Sequence, residues 1–210
     1  MTTTEKPVQA SRPRHRAPSM GVRRPQVLDT AVRMLARGGD RALTYRTVDA
    51  AAGVPSGTTS NYFRTRAALL IGAATHTERQ RRRAFDQLLE QHAPTSAGQL
   101  TRMLKAYLAE AASDTSHGGM LARAHTALLP LALDNPELAE LLATSHRLHT
   151  DALQRQLAAI NPAPLPRLAA LITDYLTGTL ANQHATGTTD TTGLTALIEL
   201  LNYTAAHRML

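Results

Sequence analysis

The sequence contains no cysteine and no tryptophan among its 210 residues, and aromatic residues make up only 3% of it. The absence of cysteine excludes disulfides, thiolate nucleophiles and cysteine metal sites. Because aromatic residues are so scarce, a core drawn from the 43% hydrophobic content must consist mainly of Leu, Ala, Val, Ile and Met. Leu and Ala favour helices, so the composition indicates a helical protein.

Long hydrophobic runs and alternating strand patterns are also missing. No stretch approaches the ~18 uninterrupted apolar residues of a membrane span, and the longest candidate, Leu128 to Leu133, contains Pro130. The N-terminus is basic and polar, without the apolar segment of a secretory signal. We therefore expect an all-α protein in the cytoplasm, with no membrane partner.

The net charge of +7 is unevenly distributed along the chain. Residues 1–93 carry 16 Lys and Arg against 7 Asp and Glu, whereas residues 94–210 carry 7 against 9. The excess extends beyond the tail, since residues 25–93 alone hold a net charge of +4. This asymmetry suits a DNA-contacting head on a nearly neutral body. The alternative is a generally basic protein with a disordered basic tail.

Apolar periodicity and capping residues predict a series of helices. The first spans residues 22–37 and ends at Gly38-Gly39. Thr44 is expected to cap a second helix ending at Ala52, a third continues through Tyr62, and Thr65 caps a fourth that extends to about residue 91. Later helices are expected after a capping box at Ser96 and Gln99, from about residue 120, from an Asp134 cap to residue 160, and over residues 164–186 and 191–208.

These elements predict three regions. Residues 1–20 lack apolar periodicity and are expected to form a disordered basic arm. Residues 21–70 form a DNA-binding domain of three helices, and residues 71–210 form a second, larger helical domain. The boundary lies within the fourth helix.

The segment 43–70, LTYRTVDAAAGVPSGTTSNYFRTRAALL, has the pattern of a helix-turn-helix. Its second helix presents short side chains that allow a close approach to base edges. Asn can bond adenine in two places, and a Thr methyl can contact a thymine methyl. The residues expected to read bases or adjoining phosphates are Ser56, Gly57, Thr58, Ser60 and Asn61. Those expected along the phosphates are Thr44, Tyr62 and Arg66.

This segment resembles the TetR family of bacterial regulators, whose usual pattern is LTxxxVAxxAGVSxGTLYxYFxxKxxLL. The residues in register are Leu43-Thr44, Val48, Ala52-Gly53-Val54, Gly57-Thr58, Tyr62-Phe63 and Leu69-Leu70. The resemblance implies that Tyr45 and Arg46 reach the edge of the DNA site and that Phe63 belongs to the core. The usual Leu-Tyr is here Thr59-Ser60, and the loss of the aromatic residue puts one base or phosphate contact in doubt. The usual Lys is Arg66, which keeps the charge but changes the hydrogen-bond geometry.

The resemblance also implies how the rest of the chain works. The last two helices would pair with their copies in a homodimer, which would bind a near-palindromic operator in double-stranded DNA. The alternative is that these two helices pack within one subunit. A small effector would lie in the C-terminal domain, where residues with adaptable apolar surface or a polar tip are candidates for contact: Met103, Tyr107, Met120, His125, Leu128, His146 and Tyr175.

Three further groups of residues have competing interpretations. Arg12, Arg14, Arg16, Arg23 and Arg24 form either an arm that contacts DNA or a solvated tail. The cluster of Arg79 and residues 81–83 indicates a solvated face or pairing with Glu78 and Asp86 rather than DNA contact. His146 and His149, with Asp151 nearby, are more typical of a polar helix face than of a metal site.

The sequence therefore predicts a TetR-like repressor that a small effector releases from its operator. One alternative is a regulator of the same type with no small-molecule effector, being constitutive or controlled by a protein partner. Another is a helical enzyme or carrier that bears a helix-turn-helix. No nucleophile motif, metal set or cofactor loop supports an enzyme, so we expect neither catalysis nor a cofactor.

Overall fold

The computed structural model describes residues 20–161 and 167–207, with side chains for residues 23–161 and 167–199. Within these ranges the regular secondary structure consists of helices alone, which confirms the predicted all-α class. The helices are α1 (Met20–Gly38), α2 (Tyr45–Ala52), α3 (Thr58–Tyr62), α4 (Arg66–His92), α5 (Ala97–Ala112), α6 (His117–Leu128), α7 (Pro136–Ile160), α8 (Leu168–Thr186) and α9 (Thr192–His207), with 3-10 turns at Asp40–Ala42 and Pro130–Asp134.

Local capping explains where several helices begin. The hydroxyls of Thr44, Thr65 and Ser96 each accept a hydrogen bond from the backbone N–H three residues later, as predicted. At Ser96 the predicted capping box forms only in part, because the Gln99 side chain accepts from the Thr95 backbone N–H instead of the Ser96 one.

Two predicted helix starts are wrong. Asn135, not Asp134, caps α7, because the Asn135 side chain accepts from the Leu138 N–H and Pro136 then fills the first helical position. Helix α6 begins at His117 rather than near residue 120, because the Ser116 hydroxyl accepts a hydrogen bond from the Gly119 N–H and caps the helix at this earlier position.

The N-terminal prediction also needs correction. Helix α1 begins at Met20, so Arg23 and Arg24 belong to this helix rather than to an arm before it. The guanidinium of Arg24 lies 5.7 Å from the centre of the Phe63 ring, a cation–π contact. Arg12, Arg14 and Arg16 of the predicted arm lie outside the described residues.

Buried side chains form two hydrophobic clusters. The first joins α1 and the helix-turn-helix to residues of α6 and α7, including Leu121, Leu128 and Leu138. The second lies among α5, α7, α8 and α9 and contains Phe85 of α4. The N-terminal helices therefore share a core with α6 and α7 instead of hanging from a free linker.

Helix α4 takes part in both clusters. Leu69, Ala73 and Ala74 near its start belong to the first, and Phe85 further along belongs to the second. At 1.5 Å per residue its 27 residues extend about 40 Å. His76 Nε2 lies 2.6 Å from the Asp29 carboxylate of α1, so α4 is tied to the N-terminal helices by polar contacts as well. None of the described helices combines the length and the apolar character needed to cross a bilayer.

Candidate DNA-binding surface and effector cavity

The turn between α2 and α3 depends on two glycines in the left-handed region. Gly53 ends α2 with φ 63°, and Gly57 precedes α3 with φ 87°. A side chain at either position would be strained. These glycines let the chain reverse direction twice within a few residues, which sets α3 across α2 as a helix-turn-helix requires.

Asp49 holds this turn in place from inside the protein. Its carboxylate is 4% exposed and accepts hydrogen bonds from the backbone N–H groups of Gly57 and Thr59, both at 2.8 Å. The Thr59 hydroxyl, which is fully buried, donates a third at 2.5 Å. A carboxylate that accepts backbone donors at a helix N-terminus fixes the position of that helix.

The predicted base-reading residues lie on α3 and just before it. Ser56 and Asn61 are exposed, while Gly57 and Ser60 are half-buried, and the Ser60 hydroxyl donates to the Gly57 carbonyl. Thr58 is only 8% exposed, and its hydroxyl donates to the Pro55 carbonyl at 2.6 Å. The exposed polar groups of α3 and of the turn before it are thus concentrated at Asn61 and Ser56.

The predicted phosphate-side residues have different surroundings. Thr44 and Arg46 are exposed, whereas Tyr45 and Tyr62 pack partly against the first hydrophobic cluster. The Tyr45 hydroxyl is buried and has no hydrogen-bond partner among the described residues. Arg66 is exposed and donates to the carboxylate of Asp40 at 2.9 Å and to its carbonyl at 2.6 Å. A phosphate that bound Arg66 would therefore compete with Asp40 for the guanidinium group.

Phe63 occupies the core beneath the reading helix. It is 5% exposed and packs in the first cluster, as the family pattern implied. Its ring lies so close to Gly72 of α4 that an added Cβ would meet it at 2.5 Å. Gly72 therefore lets α4 approach the end of α3 closely.

A cavity of about 230 Å³ lies in the body of the protein between α4, α5, α6, α7 and α8. Of the seven predicted effector contacts, Tyr107, His125 and His146 line it. The other four lie elsewhere. Met103 is buried in the second cluster, Met120 and Leu128 pack in the first, and the Tyr175 hydroxyl donates to the Asp190 carbonyl.

A buried ionic network forms one wall of this cavity. The Glu78 carboxylate of α4 lies 2.9 Å from Arg81, 2.7 Å from His125 Nδ1 of α6 and 2.5 Å from the Ser145 hydroxyl of α7. Although burial opposes it, the charge of Arg81 and the hydrogen bonds from His125 and Ser145 hold the pKa of Glu78 well below its ordinary value. Arg81 also bonds the Tyr107 hydroxyl. One carboxylate thus links three helices around the cavity.

His149 of α7 is the second polar element of the cavity wall. It is 7% exposed, its ring centre lies 5.4 Å from that of Phe85, and its Nδ1 is 2.8 Å from the Ser145 carbonyl. Burial and the nearby Arg81 lower the pKa of His149 to about 4, so the ring is neutral at pH 7. Its Nε2 is buried without a hydrogen-bond partner among the described residues.

Sequence reasoning missed three of these roles. The family pattern carries Ala and Leu where this chain has Asp49 and Thr59. These two polar substitutions, ten residues apart, were the signal in the sequence that could have indicated the pair. The Arg cluster was interpreted as a solvated face or as pairing with Glu78 and Asp86. The predicted pairing is confirmed, since Arg81 and Arg82 bond Glu78 and Asp86, but the Arg81 side chain is only 10% exposed and is not part of a solvated face. The predicted polar helix face is wrong for His149, which is 7% exposed, and the described residues contain no cluster of three or more potential metal ligands.

Comparisons with known proteins agree with this architecture. No protein-family model and no curated protein matches the sequence. Solved structures do match. A TetR-family member from Streptomyces coelicolor A3 is 25% identical with a TM-score of 0.63, over 85% of this chain and 97% of that one. The multidrug binding protein EbrR complexed with ethidium is 25% identical with a TM-score of 0.64, again over 85% and 97% of the two chains.

A third match shows the fold alone. The reduced form of NemR from E. coli is 13% identical with a TM-score of 0.69, over 86% of this chain and 95% of that one. A two-glycine turn followed by a short helix, on a helical body, is typical of the class of helix-turn-helix transcriptional regulators. Within that class, the chain has the TetR-family fold. Its structural neighbours are transcriptional regulators rather than enzymes.

Proposed function

We propose that this protein is a homodimeric transcriptional repressor that leaves its DNA operator when a small molecule occupies the body cavity. The observation that carries the proposal is the Glu78 network, which joins the cavity wall to α4, the helix that continues directly from the helix-turn-helix. Helix α6, which supplies His125 to the network, also packs against α1.

The DNA-contacting part of the proposal concerns α3 and its flanks. Asn61 and Ser56, the exposed polar residues, would contact base edges, with Ser60 and the backbone at Gly57 close behind. The buried Thr58 would contribute at most its methyl group. Thr44, Tyr45, Arg46, Tyr62 and Arg66 would lie along the phosphates. A domain boundary near residue 70, within α4, would separate this head from the body.

Release by an effector follows from the shared core. An effector between α4, α6 and α7 that fits one arrangement of these helices better than another would shift the population toward that arrangement. Because α4 and α6 both contact the N-terminal helices, such a shift would change the separation of the two heads in a dimer. Heads that no longer fit successive major grooves would release the operator.

The dimer would form through α8 and α9. Leu171 of α8 is 50% exposed, which is unusual for a large apolar side chain in this protein. Two turns further along, Gly178 is exposed, and an added Cβ there would meet open space. An exposed leucine two turns from an exposed glycine suits the close approach of a second helix. Symmetric pairing would bring two copies of this face together.

The test uses DNA from the region upstream of the protein's own gene. Fluorescence anisotropy is expected to show nanomolar binding to a near-palindromic segment, and a compound that raises the melting temperature of the free protein is expected to weaken that binding. Specific binding that no stabilising compound changes would instead support a regulator without a small-molecule effector. Catalytic turnover without DNA would support the enzyme alternative.

A further inference from the structure

The polar lining of the cavity defines what kind of molecule it can bind. We propose, on the basis of the proposed function, that the effector is a small uncharged molecule with an apolar, preferably aromatic, body and one O–H or N–H group that donates a hydrogen bond to His149 Nε2.

The first argument is the tautomer of His149. Its Nδ1 faces the Ser145 carbonyl at 2.8 Å, and a carbonyl can only accept, so Nδ1 carries the proton. In the neutral ring, Nε2 then bears a lone pair. His149 lines the cavity, and its Nδ1 points back to its own helix. Its Nε2 is a buried acceptor without a partner among the described residues, and in the proposed complex the ring turns to present this atom to the ligand.

The second argument is that the charges in the cavity wall are already neutralised. The carboxylate of Glu78 is bonded to Arg81, His125 and Ser145, and Arg81 also binds Tyr107. A cationic ligand would need a carboxylate that is not already bonded, and an anionic ligand would need to take Arg81 from Glu78. Separating a buried ion pair is unfavourable, so an uncharged ligand fits best. The EbrR structure, by contrast, holds ethidium, which is a cation.

The third argument is size and apolar surface. Cavities of about 150 Å³ lined by apolar groups accommodate benzene, so the 230 Å³ available here suits a substituted single ring or a small fused ring. Most of the remaining wall is aromatic or aliphatic, with Phe85 in edge contact with Tyr107 at 5.4 Å. The other apolar lining residues are Leu129, Leu142, Leu153, Leu176 and Leu180.

The experiment uses the full chain without DNA and three pairs of probes in which a hydroxyl replaces a methyl group. The pairs are phenol and toluene, 4-methylphenol and p-xylene, and 2-naphthol and 2-methylnaphthalene. Calorimetric titration is expected to show binding of at least one pair, with the hydroxyl member about tenfold tighter, as one buried hydrogen bond provides. Ethidium is expected to bind more weakly than that phenol.

A variant and its control assign the effect to one atom. His149→Leu is expected to abolish the preference for the hydroxyl member while still binding its methyl partner. The control, His184→Leu, removes a partly buried histidine of α8 that does not line the cavity, and it should keep the preference. Nitrogen-15 NMR of the wild-type protein gives an independent readout, since the Nε2 resonance of His149 should shift when the phenol binds.

The outcomes separate this inference from the proposed function. Equal binding within each pair, no binding of any hydroxyl member, tighter binding of ethidium, or an unshifted Nε2 resonance would each overturn the inference. A phenol that binds His149 but leaves operator affinity unchanged would support the inference while contradicting effector release.

Discussion

Asp49 and Thr59 form a buried polar pair where the family pattern carries Ala and Leu. The carboxylate satisfies two backbone N–H groups and the hydroxyl at the start of the reading helix. Replacing either residue leaves buried polar groups unpaired, whereas replacing both also removes the hydroxyl that would otherwise lack its acceptor, and leaves only the two backbone N–H groups without the carboxylate. The pair therefore predicts a specific pattern of coupling.

The first prediction is a double-mutant cycle at these two positions. Asp49→Ala and Thr59→Leu are each expected to lower the free energy of unfolding by about 2 kcal/mol. The double variant should lose about 1 kcal/mol less than the sum of the two single losses, because only the hydroxyl–carboxylate bond is shared by the two side chains. Chemical denaturation measures the stabilities. Additive losses in the double variant would show that the two side chains do not act as a unit.

His149 gives the second prediction, a pH dependence of stability. Its pKa is lowered to about 4 in the folded protein by burial and by Arg81, with a smaller effect of Arg82, against the opposing charge of Glu78. The unfolded chain, with a pKa near 6.5, binds the proton first as pH falls. His149 therefore costs the folded protein no stability above pH 6.5. As the pH falls from 6.5 toward 4, this residue lowers the free energy of unfolding by about 3 kcal/mol.

The measurement is the free energy of unfolding from pH 7 to pH 4 in the wild type and in His149→Leu. All other residues are the same in both proteins, so the difference between the two curves isolates His149. That difference should change over this range with the wild type losing more stability. Parallel curves would contradict the assignment of a neutral, buried ring.

At the scale of the elements, local interactions made the N-terminal helices predictable. The caps at Thr44 and Thr65 and the turn at Gly53 depend on neighbours within a few residues, so the sequence carries them directly. Asn135 and Asp134 both suit a cap, and the choice depends on which side chain faces the helix start. The pairing of Arg81 with Glu78 was predictable because both residues lie on α4, whereas a cavity wall built from five helices has no local signature.

The third prediction separates the roles of α3 and α4. Asn61→Ala is expected to lower affinity for the operator by about 1–3 kcal/mol while changing affinity for random DNA little, because Asn61 would contact a base. Arg66→Ala is expected to weaken both and to reduce the dependence on salt, because a phosphate contact releases counterions.

Anisotropy titrations over a range of salt concentrations measure both effects. Removing Arg66 also breaks its contact with Asp40, so Asp40→Ala serves as a control for the loss of that ion pair alone. If Asn61→Ala reduced binding to operator and random DNA equally, the assignment of base reading to this residue would be wrong.

At the scale of the whole molecule, the fourth prediction concerns the dimer. Leu171→Glu is expected to convert the dimer to monomers and to weaken operator binding, because it places a charge in the proposed α8 interface. Leu148→Glu is the matched control. Leu148 is exposed to a similar degree, 47% against 50%, but lies in α7, where its carbonyl accepts a hydrogen bond from Arg82 of α4.

Light scattering of the two variants measures the oligomeric state. Leu148→Glu should remain dimeric and bind the operator as the wild type does. A dimeric Leu171→Glu variant, or a monomeric Leu148→Glu variant, would place the interface elsewhere.

The central claim is that two copies of the N-terminal head read one near-palindromic DNA site. Footprinting of the upstream DNA by the wild-type protein tests it most directly, together with the stoichiometry of the complex. We expect protection of two half-sites separated by about one helical turn, with two chains bound, and loss of the footprint in Asn61→Ala. Uniform protection without preferred sites, or a single chain occupying a single half-site, would contradict it.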